Sequence, residues 1–579
     1  MPSGFRTFPS AEALRRPQFG LPDLVVIVGA LALLVALARV GSGTLVAFVP
    51  QKHLVPHVDL DPRLLPYYAA RSTLRMFVAL IWSLIFTFAY GYAAAHSRRA
   101  ERVLIPLLDI LQSVPVLGFL TITVTGFIAL FPGSLIGLEF ASIFAIFTAQ
   151  VWNMTFSFYQ SVRSIPKELE ETAELYRLSL WERFAKIEVP FGMVGLVWNA
   201  MMSFGGGWFF LAASEAISVA NSNYTLPGVG SYVAAAVVQK NLPALVWAAL
   251  TIAIVIVIVD QLFWRPVVAW SDKFRFEQSA AASQPASWVY DILRGARIPR
   301  LVGRALAPAG EAVDRALSRM TPARERLSTG ERHVLGDRVF NAILVVALLL
   351  LVFYVARFML TSLGLPEIGH SLVLGVATML RVAVLIVFST LVWVPAGVAI
   401  GFHPRLARLL QPVAQFLASF PANIVFPFAT LAFITYRVPI NYGCVLLMAL
   451  GSQWYVLFNT IAGAQSVPTE LREMASDLQV RGRLRWLRLI IPGVFSSWVT
   501  GAITASGGAW NASIVSEVVT WGGTTLVATG LGAYITDATA KGNGAREALG
   551  ICVMSLFVVT INRFFWRRLY AYAQTKFSL

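Results

Sequence analysis

The sequence predicts an all-α polytopic membrane protein, with about 12 transmembrane helices arranged as two tandem six-helix units. Three observations support this. First, the chain has 579 residues, of which 57% are hydrophobic and only 13% charged, with mean hydropathy +0.69. That leaves too little polar surface to cover a soluble fold. Second, apolar stretches long enough to cross a bilayer, roughly 18 residues or more, begin near Asp23, Ser72, Leu107, Ser134, Pro190 and Pro243. A second set begins near Val339, Leu372, Pro412, Val438, Pro492 and Glu547. Third, the two sets share landmarks. Arg75, Gly91, Pro106, Ser113 and Pro115 recur at one offset as Arg381, Gly397, Pro412, Ser419 and Pro421. At a slightly smaller offset Trp152, Pro166, Pro190, Trp208, Glu215 and Tyr232 recur as Trp454, Pro468, Pro492, Trp510, Glu517 and Tyr534. An even number of spans in each copy gives both the same topology, a parallel repeat about an axis along the membrane normal.

The charge pattern fixes the expected orientation. Basic residues gather in alternate connections, such as Arg98, Arg99 and Arg102, then Arg163, Lys167, Arg177, Arg183 and Lys186. In the second copy they are Arg405 and Arg408, then Arg472, Arg481, Arg483, Arg485 and Arg488. By the positive-inside rule these connections and both termini are cytoplasmic. The net charge of +16 is thus accounted for by topology and does not call for a nucleic-acid partner. Residues 1–22 read as a cytoplasmic N-terminus, and the first apolar run reads as a span because no small-residue cleavage site follows it. Cys444 and Cys552 both lie in apolar runs, which argues against a disulfide framework or thiolate metal site.

The expected domains are 23–270 and 339–579, joined by a cytoplasmic linker over 271–338. In the linker Trp288, Tyr290, Ile292, Leu293, Ile298, Leu301 and Val302 alternate with Arg294, Arg297, Arg300 and Arg304. That pattern fits a basic helix on anionic lipid, and it also fits a plain tether.

The most informative segments precede the fifth span of each copy, at 164–190 and 466–492. In the first, a proline is followed by Glu168, Glu170 and Glu171, where a helix N-terminus favours anions. Leu169, Ala173, Tyr176 and Leu180 then recur at helical spacing, as do Leu471, Ala475 and Leu478 beside Glu470 and Glu473. A surface helix of this kind can lie on lipid. Two copies in one register, each ahead of a fifth span, favour docking of a partner instead.

These residues resemble the cytoplasmic coupling loop of binding-protein-dependent ABC importer permeases, whose pattern is Glu-Ala-Ala, three residues, Gly, nine residues, Ile, any residue, Leu-Pro. Glu171, Ala173, Ile187 and Pro190 match it, with Val189 for Leu. In the second copy Glu473, Ala475 and Pro492 match, with Leu489 and Ile491 as conservative replacements. Both copies depart at the glycine, which is Arg177 in one and Gln479 in the other. Within the superfamily, GGGWFFLAASE at 205–215 and GGAWNASIVSE at 507–517 look most like the nitrate, sulfonate and taurine group.

The resemblance implies two type I permease units in the cell inner membrane. It further implies coupling loops seated on two ABC ATPase subunits, a small solute delivered by an extracytoplasmic binding protein, and alternating access between inward-facing and outward-facing states. The chain carries no phosphate-binding loop, so ATP and Mg are expected in the partner ATPase and no catalytic, cofactor or metal site is expected here.

The glycines at 205–207 and 507–508 allow close helix approach or a break in the fifth spans. Candidates for the translocation path are Ser113, Asn199, Ser203, Trp208 and Glu215, with Ser419, Thr504, Ser506, Trp510, Asn511 and Glu517. Glu215 lies 25 residues after Pro190, so a straight helix carries it roughly 37 Å, past a core of about 30 Å. At that depth the carboxylates are expected at the outer surface unless the glycines break the helix. The competing class is an ion-coupled secondary transporter using Glu215, Glu517 or Asp537. A membrane-embedded enzyme finds no paired His, Asp or Ser constellation to support it.

Overall fold

The computed structural model describes residues 22–31, 58–114, 116–118, 120–132, 134–219, 222–274, 287–321 and 334–576. In the first half the elements are α1 (Pro22–Leu31), α2 (Leu65–His96), α3 (Arg98–Ser113), α4 (Leu120–Leu130) and α5 (Ile136–Arg163). Then come α6 (Lys167–Leu175), α7 (Leu180–Arg183), α8 (Val189–Ser214), the hairpin β1 (Ala216–Val219) and β2 (Ser222–Thr225), α9 (Val229–Val238) and α10 (Leu242–Val259). Three further helices follow, α11 (Arg265–Ser271), α12 (Trp288–Gly295) and α13 (Ile298–Met320).

The second half repeats this order. It runs through α14 (Val334–Phe402), α15 (Pro404–Ser419), α16 (Ala422–Thr435), α17 (Ile440–Ser466), α18 (Thr469–Asp477) and α19 (Gly482–Arg485). It ends with α20 (Ile491–Ser516), the hairpin β3 (Val518–Trp521) and β4 (Thr524–Val527), α21 (Leu531–Ala540), α22 (Gly544–Ile561) and α23 (Arg567–Lys576).

Two compact units result. Of the described residues, one holds those within 22–31, 166–194 and 259–321, and the other those within 58–165, 195–258 and 334–576. The N-terminus before residue 22, most of the first expected span, and parts of the linker at 275–286 and 322–333 lie outside the described residues.

Among the described residues eight helices are long and apolar enough to cross a membrane. The number is nine if α15 and α16, bent by 79° to each other, form one broken span. The second-half stretch Arg338–Phe402 counts once although it has 65 residues, about 98 Å of continuous helix or three times a bilayer core. Gly364, at φ +78°, breaks it. That value lies in the left-handed region, which glycine enters without a Cβ clash.

The fold is an all-α polytopic one, and its β-structure among the described residues is confined to two short hairpins. Each fifth span is followed by a two-stranded antiparallel hairpin, pairing Ala216 with Thr225 and Val518 with Val527. The second is written locally: β-branched Val518, Val519, Thr520, Thr524 and Thr525 flank the Gly522-Gly523 turn.

The repeat extends to packing. Gly91 and Gly397 sit where the second span crosses the fourth. A Cβ at Gly91 would lie 2.8 Å from the Phe158 ring, and one at Gly397 would lie 2.9 Å from Thr460. Trp208 and Trp510 are the largest fully buried side chains, against Phe204 and Phe557 respectively. Conserving these positions between the copies preserves helix approach and core volume.

Candidate functional site

In both copies the segment before the fifth span folds as helix, left-handed turn, helix. α6 and α18 each start after a proline, Pro166 or Pro468, and end with Arg177 at φ +48° or Gln479 at φ +52°. These are the two positions that depart from glycine, and they take the glycine conformation all the same. The turn is closed by Leu178 N donating to Ala173 O at 3.0 Å and Val480 N donating to Ala475 O at 2.8 Å. This is the six-to-one bond of a Schellman cap. A left-handed non-glycine residue costs about 1–2 kcal/mol. Arg177→Gly and Gln479→Gly are therefore each expected to raise stability by about 0.5–1 kcal/mol, read as a higher thermal midpoint in detergent. Unchanged or lower midpoints would show that the side chains themselves hold the turn.

The caps sort the sequence candidates. Ala173 is buried, Leu169, Leu471 and Ala475 are half-buried, and Glu168, Glu171, Glu470 and Glu473 are exposed. Tyr176 and Leu478 project at the tips, 73% and 72% exposed. Each segment thus presents an apolar knob next to carboxylates, a surface suited to a partner's cleft.

The two segments are not braced alike. In the first, a Ser179–Glu182 capping box starts α7. Arg183 reaches back to Glu170 at 2.8 Å and forward to Glu188 at 3.1 Å. The Trp181 ring N–H donates to Asp314 of α13 at 2.7 Å, so the linker helix holds this segment too. In the second, Glu170, Glu188 and Trp181 are replaced by Arg472, Ile490 and Arg483.

A second arrangement lies where the fifth spans end. α8 and α20 run unbroken through their glycines, and Gly205 and Gly206 of α8 serve close approach to the other half. A Cβ on Gly205 would lie 2.7 Å from Ser419 Oγ, and one on Gly206 would lie 3.6 Å from the Tyr455 hydroxyl. Glu215 and Glu517 therefore reach the far ends of their helices, as the depth argument requires. Contrary to the surface expectation, both are 0% exposed.

Each carboxylate is fully engaged. Glu215 Oε1 accepts from Ser72 Oγ at 2.5 Å and from Arg75 Nη1 at 2.6 Å, while Oε2 accepts from Gly230 N at 2.7 Å. Glu517 Oε1 accepts from Thr378 Oγ1 at 2.8 Å and from Arg381 Nη1 at 2.9 Å, and Oε2 accepts from Ala533 N at 3.0 Å. The hydroxyls also accept from the start of the next helix, Ser72 from Val229 N and Thr378 from Leu531 N. Each clamp ties the second span, the end of the fifth span and the short helix α9 or α21.

The clamps differ by a compensated exchange. Arg75 holds Glu139 by two bonds of 2.6 and 2.8 Å, and Arg71 holds Glu139 at 2.6 Å. In the other copy Ala377 stands for Arg71 and Asn441 for Glu139, with Arg381 Nη2 donating to Asn441 Oδ1 at 2.8 Å. One cation and one carboxylate are lost together, so both clamps stay neutral, as burial of charge demands.

Between the halves, position 209 or 511 of the fifth span meets the bend of the opposite third span. Asn511 Oδ1 accepts from Val116 N at 2.9 Å, and Phe209 O accepts from Asn423 Nδ2 at 3.0 Å. One asparagine closes each contact, from opposite sides. Of the other path candidates, Ser203, Trp208, Ser506 and Trp510 are buried. Asn199 and Thr504 bond carbonyls of their own helices, Gly195 O and Thr500 O. Ser419 faces Gly205. The side chain of Ser113, and Pro115 entirely, lie outside the described residues.

Sequence reasoning paired Arg75 with Arg381 and Glu215 with Glu517 across the repeat but did not join arginine to glutamate. The available signal was an apolar second span carrying one recurring arginine, which needs a buried anion. It also missed Asn423 and the Trp181–Asp314 bond.

Comparison with known proteins finds relatives among transport permeases. The chain is 24% identical over 186 residues to a nitrate import permease protein of Leptolyngbya laminosa, covering 32% of this chain and 63% of that protein. It is 23% identical over 189 residues to a bicarbonate transport system permease protein of Synechococcus elongatus, covering 33% and 65%. It is 27% identical over 160 residues to a putative aliphatic sulfonates transport permease protein of Bacillus subtilis, covering 28% and 54%. The chain thus spans less than two thirds of the length of each of these relatives. Residues 84–263 and 393–571 each match one family, so the match is tandem and takes in more than half of the chain. The chain belongs to the family of binding-protein-dependent transport system inner membrane components.

Proposed function

We propose that the chain is the membrane permease of an ATP-driven importer, moving a small solute by alternating access. The observation that carries this reading is the pair of helix–turn–helix segments before the fifth spans, each with an exposed apolar tip, Tyr176 or Leu478, and flanking carboxylates. Each seats one ABC ATPase subunit, which supplies the ATP and Mg chemistry, and a binding protein delivers solute to the opposite face. Both termini and the linker are cytoplasmic, and the domains are 23–270 and 339–579.

Twelve spans in two six-helix units fit the elements. The break at Gly364 divides the stretch Arg338–Phe402 into two. The bent pair α15–α16 has α3–α4 as its counterpart, and α1 is the described part of a first span. The relatives are named for nitrate, bicarbonate and aliphatic sulfonates, all oxyanions, and the solute is assigned to that class. Glu215 and Glu517 do not oppose it, because Arg75 and Arg381 neutralise them. The same neutralisation weakens the ion-coupled alternative, and Asp537 is half-exposed and paired with Lys541 at 2.8 Å.

Glu171→Lys together with Glu473→Lys places cations on both docking surfaces. The expected result is loss of ATPase co-purification by tenfold or more, about 1.4 kcal/mol, with the chain still folded. Undiminished co-purification and undiminished stimulated ATP hydrolysis would remove these segments from the coupling role.

A further inference from the structure

We infer that the linker helices α12 and α13 form a docking surface for anionic phospholipid at the membrane the chain spans. The two helices carry five arginines against three carboxylates, and Arg297 lies between them. On α13 the apolar side chains recur at helical spacing, and they lie open: Leu301 is 53% exposed, Leu306 62% and Val313 56%. Arg300, Arg304, Arg315 and Arg319 flank this arc on one side. The opposite edge is already occupied, since Asp314 accepts from the Trp181 ring N–H at 2.7 Å and Thr321 Oγ1 accepts from Trp181 N at 3.3 Å. The apolar arc therefore faces away from the first coupling segment.

A groove continues the surface beside α12. It has a volume of about 370 Å³ and is lined by Pro266, Val267 and Trp270 of α11 with Tyr290, Leu293 and Arg294 of α12. α11 prolongs the last span of the first half, and Lys273 stacks at 4.4 Å on Trp270 there. Aromatic and basic residues at the end of a span mark the lipid–water boundary. An apolar trough at that level with a guanidinium at its rim suits an acyl chain below a phosphate headgroup, and arginines near an anionic surface are attracted to it. The positive balance selects an anionic bilayer over a zwitterionic one. Docking would also orient the first coupling segment through Trp181, a consequence that rests on the coupling role proposed above.

The test uses the full chain with Cys552→Ser, since Cys444 is buried and shielded from label. Leu306→Cys carries a polarity-sensitive fluorophore, and Glu311→Cys serves as the control on the polar face. The chain is placed in nanodiscs of phosphatidylcholine alone or mixed with an equal part of phosphatidylglycerol. The expected result is a blue shift at position 306 in the mixed discs only, quenched by nitroxide-labelled lipid, with position 311 remaining water-like. Replacing Arg300, Arg304, Arg315 and Arg319 with glutamine should abolish the shift. Water-like emission at 306 in both discs would overturn the proposal, as would an equal shift in both. A shift that labelled lipid does not quench would mean that protein covers this face, and would overturn it too.

Discussion

Replacing Glu517 with alanine is expected to lower stability by about 3–5 kcal/mol, the usual consequence of leaving a buried ion without its partner. Arg381 Nη1 loses its 2.9 Å bond to the carboxylate and keeps only the neutral Asn441. Thr378 Oγ1 and the Ala533 N–H lose their acceptor at the same time. Glu215→Ala should be milder, because Glu139 still holds Arg75 by two bonds. Adding Arg381→Leu to Glu517→Ala should recover part of the loss, since the uncompensated charge goes with the guanidinium. Thermal unfolding in detergent measures all four chains. If both glutamate variants melt with the parent, the clamps do not hold the C-terminal ends of α8 and α20 in place.

The next largest effect is expected at two glycines. Gly228 and Gly530 are extended, so nothing in their backbone requires glycine. What does is the clamp carboxylate against their Cα: a Cβ at Gly228 would collide with the Glu215 carboxylate, and one at Gly530 with that of Glu517. The carboxylate cannot step aside without giving up its arginine. Gly228→Ala and Gly530→Ala should therefore each cost about 1–3 kcal/mol as overpacking, and more where the ion pair opens. Gly303→Ala in α13, with nothing within 4 Å of a new Cβ, should instead stabilise its helix by up to about 1 kcal/mol. Equal melting of all three variants would contradict this account of the close approach.

The contrast between these glycines shows what the sequence made legible. The repeat placed Gly91 with Gly397, Trp208 with Trp510 and Glu215 with Glu517, and each pair is buried on equivalent elements. The helix and turn at 167–177 and 469–479 were readable because proline, carboxylates and an apolar stripe are local signals. Whether 205–207 would bend or pack was not readable, because the answer lies in Ser419 and Tyr455, more than two hundred residues away. The burial of Glu215 was hidden for the same reason: depth along one helix says nothing of the arginine on another. The Gly522-Gly523 hairpin was written locally but lay within a pattern dominated by helical spans.

Departures from the family pattern were equally instructive. Arg177 and Gln479 adopt the turn that glycine would, so the fold depends on the cap bonds at 178 and 480 more than on the residue at the turn.

The most direct test of the central claim is uptake of nitrate, bicarbonate and an alkanesulfonate into proteoliposomes. These would hold the chain with its co-purifying ATPase, ATP in the lumen and the binding protein outside. The account predicts accumulation of one such oxyanion that requires luminal ATP and survives collapse of the proton gradient. Uptake that persists without ATP and vanishes with the gradient would contradict it.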